Sequence, residues 1–194
     1  MRTENFPVWQ IAWNNFFLRL LQINNFFGTL RLCARLISIM SIKFTPSDGP
    51  TLGVEVELQI VDLESRNLVP RAPELLAATN DHPHVKTELL QSTVELNTGI
   101  CRDVKEVRRD LMELNEVVQP ICEKLGCGVI SCGTHPFSTW PEQLTTDDIR
   151  YKQLIDRVQW PAQRLMIFGL HVHVGMDSAE KAVAVFNQLS NYIP

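Results

Sequence analysis

Hydrophobic and polar residues alternate between Thr51 and Asp62, in the stretch TLGVEVELQIVD. Valine, leucine and isoleucine dominate this stretch, which is typical of a β-strand. Successive side chains of a strand point to opposite faces, so the pattern places Glu55 and Glu57 on the same face. Two neighbouring carboxylates repel each other and need solvent, cationic side chains or a metal ion to offset their charge. The stretch alone therefore fits a solvated edge strand as well as half of a divalent-cation site.

Two short extended pieces are predicted between residues 85 and 100. Glu88 falls in the first piece and Glu95 in the second. The alternation of apolar and polar residues over 93–97 places Glu95 on the polar face of its strand. A single glutamate in such a position is most simply a solvated surface residue, so neither of them indicates a site by itself.

A second strong strand is predicted for residues 165–176, LMIFGLHVHVGM. His171 and His173 share one face of it, whereas Val172 and Val174 occupy the other. A lone strand histidine is usually a packed core residue, but two on one face are harder to dismiss. With the four glutamates they form a set of carboxylates and imidazoles that suits Mg²⁺ or Mn²⁺. No glycine-rich phosphate-binding loop occurs in the sequence, so a nucleotide would be bound through metal ions.

The helices are predicted from apolar stripes of helical periodicity and from their caps. The clearest helix covers 103–125, with Asp103 as N-cap, Glu106 completing a capping-box pattern and Gly126 as the stop. A strand of small and apolar residues follows it at 127–131. Shorter helices are predicted at about 73–79, 146–159 and 179–192.

The predicted strand at 127–131 leads into Thr134 and His135. The end of a strand is a common place for binding residues, so both are candidates for contact with a ligand. A turn histidine that forms hydrogen bonds to nearby groups explains His135 equally well.

Residues 1–39 differ from the rest of the chain, because they are rich in Phe, Trp, Leu, Ile and Asn. Trp9, Trp13 and Phe16 follow helical spacing, but polar residues interrupt the stretch too often for a transmembrane helix. No cleavage site typical of a signal peptide follows it. We interpret it as an apolar amphipathic extension, helical or disordered. It would be a membrane-surface or partner-binding helix, a targeting segment, or translated sequence upstream of a start at Met40, and we favour the last.

Chain length, net charge and cysteine content limit the classes of function that the protein can have. The 194 residues are enough for one well-buried domain. A net charge of −4 without any basic cluster argues against nucleic-acid binding. The five cysteines are odd in number and contain no CxxC pair, which predicts free thiols in a reducing cytoplasm.

Four motifs occur in an order and spacing that resemble the type 2 glutamate–cysteine ligase family, carboxylate–amine ligases of the glutamine synthetase-like superfamily. They are TLGVEVELQIVD, KTELLQSTVELNTGICRDV, GCGVISCGTHPFSTWP and FGLHVHVGM. The resemblance covers about Thr51 to Pro194. It implies an α+β fold with a curved antiparallel sheet and helices packed on one face, like the glutamine synthetase catalytic domain. It further implies that residues 40–194 are the N-terminal part of a truncated catalytic domain that lacks the later strands.

The same resemblance implies an ATP-dependent ligase of glutathione biosynthesis. ATP would phosphorylate the γ-carboxylate of glutamate, and an amine such as that of cysteine would attack the acyl phosphate to give γ-glutamylcysteine. The implied residues are Glu57, Glu88 and Glu95 for one Mg²⁺ or Mn²⁺, Glu55 and His171 for an ATP-side metal, His173 for phosphate or substrate, and Thr134 and His135 for the nucleotide pocket.

Two alternatives remain at this stage. A non-catalytic remnant or partner-binding subunit would use an open sheet edge and the 1–39 segment, and the same edge would allow a homo-oligomer. A metal hydrolase built on His171 and His173 would leave the paired glutamates unexplained. Because the resemblance covers only part of a catalytic domain, we expect little or no ligase activity from the chain alone.

Overall fold

A five-stranded antiparallel sheet forms the centre of the structure, a computed structural model that describes residues 44–193. The sheet belongs to the unit Pro46–Pro194. The predicted extension of residues 1–39 lies outside the described residues. The strands are β1 (Leu52–Asp62), β2 (Val85–Thr87), β3 (Thr93–Asn97), β4 (Cys127–Ile130) and β5 (Leu170–Val174).

The long strand β1 connects the two sides of the sheet. One edge of β1 pairs with β3, which in turn pairs with β2. The opposite edge of β1 is shared by two strands: β4 pairs with its C-terminal half and β5 with its N-terminal half. All of these pairings are antiparallel. The predicted α+β fold with an antiparallel sheet is therefore confirmed.

The α-helices are placed close to where their caps predict them. Asp103 caps the longest helix, because its carboxylate accepts hydrogen bonds from the backbone N–H groups of Lys105 and Glu106. Within residues 44–193, every helix is too short or too polar to span a lipid bilayer. The helices are α1 (Ala72–Ala78), α2 (Val104–Lys124), α3 (Ile149–Val158), α4 (Trp160–Gln163) and α5 (Ala179–Leu189), with 3₁₀ turns at Trp140–Glu142 and Ser190–Tyr192.

The apolar side chains of the sheet face α1 and α2, which pack against one of its faces. The core there is formed by alternate residues of β1 and β3, such as Ile60 and Leu96, against Leu75 of α1 and Val118 of α2. The intervening residues of β1 point to the opposite face, which carries the polar groups. Alternation along β1 thus separates the core from the candidate site.

Several elements are shorter than the sequence predicts. The strand predicted at 165–176 is regular only over β5, because Met166 and Phe168 turn into a second small cluster around Val61. The helix predicted from residue 146 begins at Ile149, since the carboxylate of Asp148 caps it. Glu88 was predicted on a strand and instead follows directly after β2.

The cysteines of the described part of the chain are free thiols. Cys101, Cys122 and Cys127 are buried and Cys132 is exposed. Burial raises the pKa of the Cys122 thiol to about 12. The three buried thiols are therefore protonated and unreactive packing groups of the core, whereas Cys132 is the accessible one.

Candidate functional site

Three carboxylates meet on the polar face of the sheet: those of Glu57, Glu88 and Glu95. Each offers an oxygen within 4.8 Å of the others. The strand register explains two of them, because Glu57 lies directly opposite Glu95 in the β1–β3 pair. Glu88 joins them from the end of β2, which lies on the other side of β3. The three residues are named here the glutamate cluster.

Each member of the glutamate cluster accepts a hydrogen bond from a neighbouring N–H group. These bonds fix the carboxylates in place and offset part of their mutual repulsion. The donors are the backbone N–H of Gly169 to Glu57 Oε2 (2.7 Å), Asn97 Nδ2 to Glu95 Oε1 (2.8 Å) and the backbone N–H of Leu89 to Glu88 Oε2 (3.1 Å).

The pKa of the Glu88 carboxyl group responds to both burial and the neighbouring carboxylates. Burial, a hydrogen bond with Glu95 and the charges of Glu95 and Glu57 raise the pKa of Glu88 to about 7, despite the opposing hydrogen bond from Leu89. Without a counter-charge, the cluster therefore favours a proton on Glu88 near neutral pH.

Helix α3 contacts the glutamate cluster through Tyr151. Its hydroxyl lies 3.2 Å from the Thr87 carbonyl oxygen and 3.4 Å from Glu88 Oε2. Arg150 Nη2 donates a hydrogen bond of 2.7 Å to the same hydroxyl. Burial and the negative charge of Glu88 raise the pKa of Tyr151 to about 12, so the phenol stays protonated.

A second group lies beside the glutamate cluster along β1 and β5. Glu55 pairs directly with His171 in the register, and its Oε2 is 3.3 Å from His171 Nδ1 and 3.2 Å from His173 Nε2. The hydrogen bond with His173 is the main reason why the pKa of Glu55 lies below its usual value. The structure thus brings all three of these predicted residues together.

The glutamate cluster fits a divalent cation. Its donors are carboxylate oxygens, which hard cations such as Mg²⁺, Mn²⁺ and Ca²⁺ prefer. Burial, and to a smaller extent the charges of Glu95 and Glu57, raise the pKa of Glu88, so its ionised form is disfavoured in the cluster. A cation bound among the three oxygens would replace that proton and relieve the repulsion.

Thr134 and His135 are not members of these groups. His135 is 6% exposed, its Nδ1 accepts a hydrogen bond from the backbone N–H of Ser138, and its Nε2 lies 3.0 Å from the carbonyl oxygen of Arg66. Both ring nitrogens therefore have protein partners, as expected of a turn histidine. Contact with a nucleotide would require one of these bonds to exchange. Thr134 is exposed, and its predicted contact stays a prediction.

Tyr151, Gly169 and Asn97 are residues of the site that no sequence prediction assigned to it. Gly169 lies within the strand predicted at 165–176 and directly precedes β5, and Asn97 shares the polar face of β3 with Glu95. The predicted strands therefore already placed Gly169 and Asn97 close to the candidate site in the sequence. Tyr151 approaches from α3, and the local pattern of that helix carries no signal for the contact.

The family profile described as glutamate–cysteine ligase family 2 matches residues 51–194. The chain belongs to this family. Its members include curated relatives that are provisionally named glutamate–cysteine ligase 2. One from Gloeobacter violaceus is 47% identical over 159 residues, which are 80% of this chain and 43% of that protein. One from Bdellovibrio bacteriovorus is 43% identical over 154 residues, 79% of this chain and 41% of that protein.

This family 2 chain therefore spans less than half the length of the curated relatives that it matches. Among solved structures, it is similar to a bifunctional glutathione synthetase from Pasteurella multocida, with a TM-score of 0.52 and 19% sequence identity. That match covers 72% of this chain and 18% of the other. At this level of identity the similarity supports the fold alone.

Proposed function

We propose that the protein acts as an ATP-dependent carboxylate–amine ligase that activates the γ-carboxylate of glutamate for attack by an amine, with cysteine as the presumptive acceptor. Membership of glutamate–cysteine ligase family 2 supports a ligase of this class. The observation that carries the proposal is the convergence of Glu57, Glu88 and Glu95 within 4.8 Å of one another.

The proposed reaction brings together anions that repel one another. A carboxylate is a poor electrophile until it is phosphorylated, and ATP approaches it with several negative charges. Bound Mg²⁺ or Mn²⁺ supplies the positive charge that offsets this repulsion. The glutamate cluster would hold one such ion, and Glu55 with His171 would hold a second.

The remaining task of the chain is orientation. The backbone N–H of Gly169 keeps one oxygen of Glu57 in place, and pairing of β1 with β5 sets Glu55 between the two imidazoles. His173, on the same edge, is our candidate for contact with phosphate or substrate. Because these residues sit on paired strands, their separations are fixed before a ligand binds.

Mn²⁺ binding tests the glutamate cluster directly. Titration of the purified chain, followed by the electron paramagnetic resonance signal of free Mn²⁺, is expected to show binding that Glu57→Gln weakens by at least about tenfold, since losing even an outer-shell partner can have that effect. The control Glu64→Gln removes the same charge from an exposed loop residue and is expected to bind as the wild type does. A wild-type chain that binds neither Mn²⁺ nor Mg²⁺ would contradict the proposal.

Release of ADP tests the activity. The assay contains the chain, ATP, Mg²⁺ and glutamate, with cysteine and other amines compared as acceptors. We expect low release from the chain alone, because it spans 43% of the Gloeobacter relative. Any release above background should require glutamate and be lost in Glu57→Gln. Release that this variant retains in full would exclude the glutamate cluster as the active site.

A second candidate function is that of a non-catalytic, partner-binding subunit. The observation that favours it is the apolar side of β5, where Leu170, Val172 and Val174 are exposed. Ordinary monomeric surfaces rarely present such a row. Metal binding that persists while ADP release stays at background with every amine would favour this candidate.

A further inference from the structure

Glu88 is the one member of the glutamate cluster that does not lie on a strand. Glu57 and Glu95 are held by the β1–β3 ladder, whereas Glu88 follows the last residue of β2. Its position depends instead on the segment that leads into α3, where the backbone N–H of Thr146 donates to the Leu89 carbonyl oxygen at 2.9 Å. The geometry of the cluster is thus partly set by a segment from another part of the chain.

Tyr151 is the residue of α3 that reaches the carboxylate itself. It is 6% exposed, and its hydroxyl contacts both the Thr87 carbonyl oxygen and Glu88 Oε2. A buried phenol needs hydrogen-bond partners, so this position is determined by polar contacts as well as by packing.

Arg150 restricts the directions in which the Tyr151 hydroxyl can donate its proton. The guanidinium lies over the Tyr151 ring, 4.5 Å from its centroid, and donates to the hydroxyl oxygen at 2.7 Å. A hydroxyl has one proton. Because Arg150 occupies a lone pair of the oxygen, the proton is directed at Thr87 or Glu88. Both contacts, at 3.2 Å and 3.4 Å, are longer than the usual hydrogen bond of a hydroxyl group.

We propose that Tyr151 is a positioning residue of the glutamate cluster, and that its hydroxyl, oriented by Arg150, holds Glu88 in place for a divalent cation. The inference rests on the metal site put forward under the proposed function. It adds a role for α3: the helix determines how well a three-oxygen site is preorganised, although it provides none of the three oxygens.

The substitution Tyr151→Phe removes only the hydroxyl. We expect it to weaken Mn²⁺ binding by about tenfold, the lower end of the range for the loss of an outer-shell partner. Tyr192 is the other tyrosine of the chain and is 82% exposed, so Tyr192→Phe is the matched control and should leave Mn²⁺ affinity unchanged. Circular dichroism and the urea midpoint establish that both variants are folded.

A spectroscopic measurement separates this role from a purely structural one. Wild-type protein labelled with 3-fluorotyrosine gives two ¹⁹F signals, which Tyr192→Phe assigns. During Mg²⁺ titration the Tyr151 signal should move along the same binding curve as the ion, whereas the Tyr192 signal should stay in place. Glu88→Gln should abolish the movement, because the carboxylate that connects the ion to the phenol is then absent.

The outcomes are distinct for the two proposals. A wild-type chain that binds no divalent cation overturns both. A chain that binds Mn²⁺ with equal affinity in the wild type and in Tyr151→Phe leaves the metal site standing and overturns the role of Tyr151. A Tyr151 ¹⁹F signal that does not respond to Mg²⁺ in a chain that binds the ion overturns that role as well. The ¹⁹F experiment uses the wild-type sequence, so it tests the role even if Tyr151→Phe does not fold.

Discussion

At the scale of single residues, the charge on Glu88 opposes folding when no cation is bound. Its pKa is about 7 in the folded chain, against 4.5 for an ordinary glutamate, so folding favours the protonated form. The stability contributed by that proton is complete below pH 4.5 and is lost as the pH rises through 7. Glutamine has the shape of the protonated side chain and does not ionise.

We therefore expect Glu88→Gln to stabilise the metal-free protein in alkaline buffer. After allowance for solvent screening, the free energy of unfolding should rise by on the order of 1 kcal/mol at about pH 8 and change little at about pH 4. Urea titrations in a chelator at both pH values measure it. Glu64→Gln is the control, and an equal effect of both substitutions at about pH 8 would contradict the assignment.

Period-two alternation in the sequence was sufficient to predict which strand side chains of the candidate site share a face. Glu57 and Glu95 follow from period-two patterns, and the structure places them directly opposite each other. Tyr151 could not be predicted in this way, because its contact with Glu88 spans 63 positions and depends on how α3 packs. Local periodicity reports which face a side chain occupies and carries no information on what approaches that face from elsewhere.

At the scale of elements, Gly175 holds the junction between β5 and the start of β1. Its backbone N–H donates to the Thr51 carbonyl oxygen at 2.9 Å, and the next residue, Met176, accepts from the backbone N–H of Ser47 at 2.8 Å. A Cβ atom on Gly175 would overlap the hydroxyl groups of both Thr51 and Ser47. The two segments approach each other this closely only because the residue is glycine.

Gly175→Ala should lower the free energy of unfolding by about 1–3 kcal/mol, the usual effect of overpacking. Gly133→Ala is the matched control, since a Cβ atom there meets nothing within 4 Å. Urea unfolding followed by circular dichroism measures both. Hydrogen exchange should also become faster at the β5 amides, which hold His171 and His173 beside Glu55. Equal stability of the two variants would show that the junction adjusts without strain.

The elements predicted best are those whose first and last residues are determined by residues next to them in the sequence, such as helix caps. Asp103 caps α2 as its position implies, and the apolar stripe of α2 faces the sheet. The length of β5 was not predictable, since the apolar residues before it, including Phe168, pack in a separate cluster instead of continuing the strand. An apolar run indicates burial but does not distinguish a strand from a packed irregular segment.

At the scale of the whole molecule, β5 has an apolar side that the described helices do not cover. Val172 lies on the core side of the sheet opposite Val54, yet it is 57% exposed. Within residues 44–193, β1 is the strand with which β5 pairs, so the outer edge of β5 also presents unpaired backbone groups. An exposed edge with an apolar face promotes strand-to-strand association.

We therefore expect the purified protein to self-associate as its concentration rises, and Val172→Lys to suppress this, because a lysine on an edge strand opposes pairing. Leu144→Lys introduces the same charge at a loop residue of similar exposure, 55%, and should associate as the wild type does. Sedimentation velocity over a range of concentrations measures the weight-average sedimentation coefficient. Val172 faces away from the glutamate cluster, so Val172→Lys should bind Mn²⁺ with the affinity of the wild type. Mn²⁺ affinity therefore shows independently that the variant is folded. A monomeric wild type at every concentration, or association that Val172→Lys leaves unchanged, would show that β5 is not the associating edge.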